Sequence, residues 1–364
     1  RDCLTAGPLQ AVERRAISDF GDLTYLRKGG TIEIELWLDI GKQVQTQKGN
    51  LLQYRIAIGK DDVLGVAVKE EILRQYSKSC LLPGMKLHFG DDVTPKRLLG
   101  KTAKATDFYQ RENGKYMDSF VFGMDKLALA HIPPDEERYP TGNNVKRLLM
   151  QGIQYIQLNS RAMRNPCPAT RGTDLELDGT NLAKVVGRLR GKTGGKSNRN
   201  NVFVKNAIIE QWTDHLRYAL PDLKDIGWKQ RQADNAEFIV LRYANGFECP
   251  SWLLSDGTLR MLALTLPGFM PANCGVYMVE EPENGVHPNA LEIILRALSA
   301  IQNAQVLIAT HSPMVVQSVG KTPLLCFKYD NSGTSIVPGD EHPVLKEWDG
   351  TPDLATIFSS GILG

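Results

Sequence analysis

The sequence predicts a mixed α/β fold, with a mixed or parallel sheet flanked by helices, an antiparallel β lobe near the N-terminus and a helical insertion. Apolar side chains alternate at 31–40 with the period of two that is typical of a half-buried strand. Further along, the apolar segments 274–280 and 304–309 enclose 289–301, in which apolar side chains recur at helical spacing. Because a strand–helix–strand order joins parallel neighbours, this second pattern predicts a parallel sheet.

Residues 1–140 are expected to form the remainder of an N-terminal lobe built on antiparallel strands. A short helix within 5–18 comes first. Period-two alternation and turns rich in Asp and Gly then predict three strands, at 31–40, 51–59 and 61–73. From about 74 to 140 the pattern weakens into mixed turns, so we expect an insertion there, with a polar, Pro-containing loop at 131–144.

Residues 141–235 are expected to be a helical insertion. Helical spacing of apolar side chains predicts its helices, at 143–153, 181–189 and 202–220. Asp178 and Thr180 precede the middle helix and are placed to cap its start. Residues 236–364 begin with a strand and a turn and then alternate helical and strand-like segments, so this last part is expected to hold the parallel sheet.

Composition and charge restrict the class of protein but not its partner. The 364 residues are 42% apolar and 23% charged, as in ordinary globular proteins, with a formal net charge of +2 that does not require a nucleic-acid partner. No apolar run approaches the roughly 20 residues that span a bilayer, and no signal-peptide pattern is present. The six cysteines form no C-x-x-C pair. We therefore expect a soluble, cytoplasmic protein without a zinc site, a disulfide framework or a membrane partner.

Two strands of the predicted parallel sheet end in polar side chains. Glu280 and Glu281 directly follow one apolar strand, and Thr310 and His311 follow the next. Ligands of α/β sheets gather at the carboxyl ends of the strands, where one carboxylate can hold Mg²⁺ and a second can orient a water for attack on a γ-phosphate. An isolated pair of glutamates more often begins a solvated turn, so the surrounding motifs decide between the two interpretations.

Three motifs occur in a fixed order around these residues. They are LSDGT at 254–258, VYMVEEPENGVHP at 276–288 and IATHSP at 308–313. Together they resemble the signature motif, the Walker B segment with its D-loop and the switch-histidine strand of ABC-type ATPase heads of the SMC, RecF and overcoming-lysogenisation-defect class. The run at 164–186, which contains D-G-x-N-L-A, resembles bacterial predicted ATPases that are often found beside nucleases in phage-defence operons.

The resemblance implies an ATP and Mg²⁺ site with a role for each matched position. The residues that would bind ATP are Ser255, Asp256 and Gly257. Glu280 would serve Mg²⁺, Glu281 would polarise the attacking water, and His311 would sense the γ-phosphate. On its own, His311 would more often be a strand-end histidine bonded to the backbone. His287 can either lie near a dimer-facing loop or cap the helix that follows it.

The phosphate-binding loop G-x-x-x-x-G-K-[ST], which such ATPases need, does not occur in this sequence. The nearest candidates lie within 187–197, and both have the wrong glycine spacing and no preceding strand. The resemblance places the loop before Arg1, which predicts a truncated chain. The alternative is a degenerate subunit that borrows phosphate binding from a partner.

A basic segment lies close to these candidates. Between Gly179 and Glu210 there are seven basic residues and no acidic one: Lys184, Arg188, Arg190, Lys192, Lys196, Arg199 and Lys205. Such a one-sign segment can contact nucleic-acid phosphates, although the absence of interleaved aromatic residues favours a solvated loop.

Three functions remain open at the level of sequence. The first is an ATP-hydrolysing switch or scaffold subunit of a bacterial anti-phage defence complex, a homodimer or higher oligomer that sandwiches ATP. Its effector, a nuclease, would be a separate protein, since only 53 residues follow His311. The second is a RecF-like or SMC-like DNA-binding ATPase of DNA repair or maintenance, which the basic segment favours and the lack of heptad arms disfavours. The third is an assembly subunit that binds ATP but hardly hydrolyses it.

Overall fold

The computed structural model divides the chain into two compact units, residues 1–151 and 152–364. The residues that it describes are 2–15, 19–24, 27–39, 51–76, 95–101, 105–191, 206–271, 275–330 and 333–363. The mixed α/β class is observed, with an antiparallel sheet in the N-terminal unit and a parallel sheet in the C-terminal unit. The three-part division at 140 and 235 stays a prediction.

The N-terminal unit contains a six-stranded sheet in which each strand pairs antiparallel with the next. The strands are β1 (Thr31–Asp39), β2 (Leu51–Asp61), β3 (Gly65–Tyr76), β4 (Lys96–Lys101), β5 (Thr106–Gln110) and β6 (Met117–Val121). The antiparallel prediction for the first three strands is confirmed. The expected half-burial is wrong for β2, where Leu51, Leu52, Gln53 and Tyr54 are all buried, because a central strand is covered on both faces.

Within 74–140, the described residues add three strands to this sheet where mixed turns were expected, and residues 77–94 and 102–104 lie outside the described part of the chain. Strands β4 to β6 are only five or six residues long, and β4 begins and ends with lysine, which weakens the period-two pattern. The helices of this unit are α1 (Asp2–Ala6), α2 (Pro8–Glu13) and α3 (Pro140–Gln151). Since α3 begins at Pro140, the predicted loop at 131–144 ends earlier than expected.

The antiparallel sheet buries one hydrogen-bonded carboxylate and one ion pair. The Glu71 carboxylate accepts hydrogen bonds from the Tyr54 hydroxyl at 2.9 Å and from the backbone N–H groups of Ala128 and Leu129. Burial raises the pKa of Glu71 to about 7, although these donors act in the opposite direction. On β4, the Lys101 ammonium lies 2.5 Å from the carboxylate of Asp107, and both side chains are almost fully buried.

The C-terminal unit is built on a parallel sheet of three strands in the order β12-β11-β7. Among the described residues, the strands of this unit are β7 (Ile153–Ile156), β8 (Leu223–Gln230), β9 (Glu237–Tyr243), β10 (Glu248–Pro250), β11 (Val276–Glu280), β12 (Gln305–Ala309), β13 (Leu325–Asp330) and β14 (Gly333–Pro338). Strands β8 to β10 form an antiparallel sheet, and β13 pairs with β14 in a hairpin. The predicted parallel strand–helix–strand unit is confirmed.

The helices of this unit bury apolar side chains, the first five in the core of the parallel sheet and the last two in a separate cluster with Val316 and Cys326. They are α4 (Ser160–Met163), α5 (Leu182–Leu189), α6 (Ala207–Leu216), α7 (Asp256–Thr265), α8 (Pro288–Ser299), α9 (Pro313–Val319), α10 (Pro343–Lys346) and α11 (Leu354–Ser359). Helix α8 joins β11 to β12 and buries seven side chains. No helix among the described residues is long and apolar enough to cross a membrane.

Two predicted helix starts are corrected. Asn206 caps α6 by accepting hydrogen bonds from the N–H groups of Ile208 and Ile209, so the helix begins at 207; residues 202–205 lie outside the described part of the chain. At α5 the N-cap is Asn181, and the Asp178 carboxylate instead accepts hydrogen bonds from Thr180. The Asp178 carboxylate oxygen that was expected to cap the helix therefore stabilises a local turn instead.

Candidate functional site

The three parallel strands bring their carboxyl ends to one edge of the sheet. In register, Ile156 of β7 lies opposite Val279 of β11, and Glu280 lies opposite Ala309 of β12. Gln157, Glu281 and Thr310 are the first residues after these strands. The structure therefore places both predicted carboxylates beside the predicted switch turn, at the edge where α/β sheets collect ligands.

Glu280 is exposed at the end of β11 and is held from the neighbouring strand. The hydroxyl of Tyr155 on β7 donates a hydrogen bond to Glu280 Oε2, and this bond raises the pKa of the tyrosine. Among the described residues, no cluster of three or more His, Cys, Asp or Glu side chains could hold a metal ion.

Glu281 begins a seven-residue turn, 281–287, which we call the acidic loop. Its backbone has a φ of 44°, a left-handed conformation that side chains with a Cβ rarely adopt. Its N–H donates to the carbonyl of Ala309 at 2.8 Å, and Asn284 donates to its carboxylate Oε2. The strained backbone thus turns the chain sharply at the residue assigned to water activation, while its side chain remains half-buried.

Glu283 joins the acidic loop to the turn that follows β12. Its Oε1 accepts hydrogen bonds from the Thr310 hydroxyl at 2.7 Å and from the N–H of His311 at 3.2 Å. The His311 residue is exposed. The loop after one strand therefore fixes the main chain of the predicted switch histidine.

Ser255, Asp256 and Gly257 begin α7, and the structure gives each a local partner. The Ser255 hydroxyl caps the helix by accepting from the N–H of Thr258 at 3.1 Å, and Asp256 pairs with Arg164 at 2.7 Å. These contacts explain the residue types at 255 and 256 without a ligand. The serine is exposed at the positive end of the helix dipole, so it can also face an anion.

Gly257 is where α7 meets the acidic loop. A Cβ at this position would lie 2.7 Å from the carbonyl oxygen of Gly285, a distance that side chains do not tolerate. The residue type is therefore explained by close backbone packing. One turn further, the Arg260 guanidinium lies 3.4 Å from the Glu281 carbonyl. Burial lowers the pKa of Arg260, and the carboxylates of Asp256, Glu281 and Glu283 oppose that shift.

His287 ends the acidic loop. Its Nδ1 accepts a hydrogen bond from the N–H of Asn289 at 3.3 Å, and Pro288 occupies the first position of α8. Of the two roles that the sequence left open for His287, helix capping is the one observed.

The described members of the basic segment are engaged within the chain. Lys184 donates to the carbonyl of Arg171 at 2.9 Å, and Arg188 pairs with Asp174 at 2.6 Å. Arg190 is buried, so its predicted contact with nucleic-acid phosphates is wrong for this conformation. The remaining members lie outside the described residues; they are Lys192, Lys196, Arg199 and Lys205.

Sequence reasoning missed four residues of this site, Tyr155, Arg260, Glu283 and Asn284. The third carboxylate of the EEPEN motif was a visible signal for Glu283. Tyr155 had no such signal, because the segment before it was assigned to a helix that extended to residue 153. The contacts of Glu283 join residues 27 and 28 positions apart and depend on the fold.

Residues 193–317 match a family described as "AAA domain, putative AbiEii toxin, Type IV TA system". This range covers about a third of the chain and contains all three motifs around the acidic loop. The comparison with curated proteins found no match.

Several solved structures resemble the chain at low identity. One, described as an SMC head bound to the C-winged helix domain of ScpA, has 10% identity and a TM-score of 0.45, with 92% of this chain and 82% of that chain covered. The SMC head domain from Thermotoga maritima has 10% identity and a TM-score of 0.29, with coverages of 79% and 74%. A third, from work on ATP-driven dimerization and DNA-stimulated activation of SMC ATPases, has 12% identity and a TM-score of 0.32, with coverages of 43% and 91%.

Proposed function

We propose that this chain is the catalytic part of an ATP-hydrolysing switch. The observation that carries the proposal is the acidic loop, which contacts the signature-like helix α7 through Gly285 and the switch turn through Glu283. Three motifs separated in sequence thus converge on one edge of a parallel sheet. The match of residues 193–317 to an AAA family supports the same reaction class.

Each residue then has a chemical role in the hydrolysis of ATP. Glu280 would hold Mg²⁺, which would neutralise charge on the phosphates. Glu281 accepts a hydrogen bond from the attacking water and orients it for in-line displacement. His311 faces the charge that develops on the transferred phosphoryl group. Ser255 and the first turn of α7 present a hydroxyl and the positive end of a helix to a phosphate.

An ATP site of this kind also needs a phosphate-binding loop, and the pattern G-x-x-x-x-G-K-[ST] does not occur in this sequence. We propose that nucleotide joins two copies of the protein, with the phosphates of the nucleotide bound to one copy facing the Ser255–Gly257 motif of the other. ATP then controls association, and hydrolysis releases it. This division explains why Ser255 is exposed although its local hydrogen bond is already satisfied within the helix.

Substitution of Glu281 by Gln tests the reaction. The amide preserves the side-chain shape but removes the negative charge that orients water, so we expect kcat to fall by about 10²- to 10⁴-fold. The Kd for ATP should change less than about threefold, since Glu281 does not hold the nucleotide. Steady-state turnover and nucleotide titration of the full-length protein measure the two effects. An unchanged kcat would show that Glu281 takes no part in the reaction. If the wild-type protein binds ATP but does not hydrolyse it, the result would instead favour an assembly subunit that binds ATP without turnover.

The biological setting proposed for this switch is bacterial defence, in the cytoplasm. The matched family is described as a putative toxin of a toxin–antitoxin system, and the D-G-x-N-L-A run resembles ATPases that lie beside nucleases. We propose that the ATP cycle restrains or releases a separate effector, a nuclease. Affinity purification of the tagged protein from its native host tests this: a nuclease that co-purifies in an ATP-dependent manner supports the proposal, and its absence in both nucleotide states contradicts it.

The second function, a DNA-binding clamp, predicts a different result in the same preparation. The ATPase alone would bind duplex DNA with a steep dependence on salt. Because Lys184 and Arg188 are engaged within the chain, such binding would depend on Lys192, Lys196 and Arg199.

A further inference from the structure

Glu283 lies in the acidic loop, but its hydrogen bonds are made to the turn after β12. Both donors reach the same oxygen, Oε1, which binds the Thr310 hydroxyl and the His311 N–H. The Thr310 hydroxyl in turn accepts from the N–H of Ser312 at 3.0 Å. One carboxylate oxygen therefore orders the backbone on both sides of His311, directly on one side and through a hydroxyl on the other.

The other oxygen of this carboxylate differs in its hydrogen bonding. Glu283 Oε2 is buried and has no hydrogen-bond partner among the described residues. Nε of Arg260 is also buried without a partner, and its charge interacts favourably with Glu283. Buried polar atoms are nearly always paired, so a carboxylate kept in this position indicates a function beyond stability.

We infer that Glu283 is a positioning residue for His311, through which it acts on ATP hydrolysis. This inference rests on the proposed function, and it assigns a role to a residue that does not touch the nucleotide. Glu283 accepts a hydrogen bond from the His311 N–H, and His311 is exposed directly after β12, the strand that pairs with the strand ending in Glu280. Loss of Glu283 lets the main chain at His311 move, and a displacement of about 1 Å in a catalytic group can cost about 10²-fold in rate.

The acidic loop has the geometry that this role requires. Glu281 and Glu283 are two residues apart, and Glu281 is itself bonded to β12 through the Ala309 carbonyl. The residue that orients water and the residue that positions His311 therefore belong to the same turn. A change in the conformation of this turn would therefore move Glu281 and Glu283 together.

A double-mutant cycle with His311 tests the inference. Glu283→Ala should lower kcat by about 10- to 100-fold with a change in KM below about threefold, since an interaction that acts in the transition state is lost. In a His311→Ala background the same substitution should cost less than about threefold, because its target is already absent. Glu283→Gln keeps an acceptor oxygen for Thr310 and should restore at least half of the logarithmic loss.

The outcomes separate this inference from a structural role and from the proposed function. If Glu283→Ala lowers kcat equally with and without the imidazole of His311, Glu283 does not act through it. The inference is also overturned if Glu283→Ala leaves kcat unchanged. Thr310→Val removes one donor of the same network and should give a smaller, non-additive loss, which keeps the test valid if Glu283→Ala does not fold. If the wild type hydrolyses no ATP, the proposed function itself fails, and this inference fails with it.

A matched control exists in the same strand–helix–strand unit. Glu292 on α8 is exposed and forms a surface ion pair with Arg296, at 2.6 Å. Glu292→Ala should leave kcat, KM and the double-mutant cycle unchanged, because exposed pairs of this kind have little effect on their surroundings. A loss there equal to that of Glu283→Ala would show that any removed carboxylate in this unit impairs the enzyme.

Discussion

Glu71 in the N-terminal unit and Glu280 in the C-terminal unit are both strand glutamates, but their environments are opposite. Glu71 is fully buried and accepts one hydroxyl and two backbone N–H groups. Glu280 is exposed at a strand end and receives one tyrosine hydroxyl. A carboxylate whose oxygens are all occupied can only support structure, whereas an open one can bind a cation. This difference in exposure is consistent with the proposed site at the carboxyl edge of the parallel sheet and with a structural role for Glu71.

Buried carboxylates and sheet-edge carboxylates are expected to affect different properties of the protein, the first its stability and the second its activity. Substitutions in the buried polar groups should change the free energy of unfolding through desolvation. Substitutions at the sheet edge should change turnover and leave that free energy nearly constant. Four measurements test whether stability and activity depend on separate groups in this way.

The largest effect is expected from Lys101→Met. It leaves the Asp107 carboxylate buried without its cation, which should cost about 3–5 kcal/mol of unfolding free energy. Adding Asp107→Leu should recover most of the loss, because the uncompensated charge is removed. Urea titration measures both variants. Lys69→Met is the control: Lys69 and Asp61 form a surface pair at 3.3 Å, and its loss should cost less than about 1 kcal/mol.

The second effect concerns pH. The folded-state pKa of Glu71 is about 7 against an ordinary value of 4.5, so the folded protein binds the extra proton between these values. Its stability should therefore fall as pH rises from 4.5 to 7, by roughly 3 kcal/mol, and then stay level. Glu71→Gln should lack this slope in urea titrations at pH 5 and pH 8. Exposed Glu33→Gln should keep it. Equal slopes in wild type and Glu71→Gln would contradict the assignment.

A smaller effect is expected at the sheet edge. Tyr155→Phe removes the hydroxyl that holds Glu280, and the Mg²⁺ concentration for half-maximal ATPase should rise by about two- to fivefold, since outer contacts tune metal ligands. The melting temperature should stay within about 1 °C of wild type, because an exposed side chain contributes little to stability. A change in melting temperature without a change in Mg²⁺ dependence would assign Tyr155 to structure alone.

The smallest effect is expected from the double substitution Lys184→Ala and Arg188→Ala. Both side chains are engaged within the chain, so duplex DNA affinity and its salt dependence should not change. If these residues do contact phosphates, the logarithmic salt slope should fall by about two. Fluorescence anisotropy at several salt concentrations distinguishes the two results.

Prediction from sequence succeeded where local pattern and fold agree. Strands β1, β11 and β12 and helix α8 have strong periodicity and were placed within a few residues. Strand β7 was missed because its four residues follow α3 almost directly, and a segment so short carries little periodic signal. Strands β4 to β6 were missed because charged and polar residues interrupt their alternation.

The candidate site was predicted as a set of motifs but not as a set of contacts. Glu280 is the last residue of β11 and Glu281 the first after it, and Thr310 and His311 follow β12 as expected. The left-handed backbone of Glu281 had no signal, since a glutamate does not favour that conformation. Nor could spacing indicate that Gly257 packs against the loop, because that contact forms only when α7 and the loop meet in the folded chain.

The contact of Gly257 with Gly285 has a mechanical consequence. Their backbones meet with no side chain between them, so no rotamer change can absorb a shift of either segment. A movement of the turn after β11 during a catalytic cycle would push the first turn of α7 directly, and Ser255 with it. This tight backbone contact can thus transmit a local rearrangement of the turn to an exposed surface.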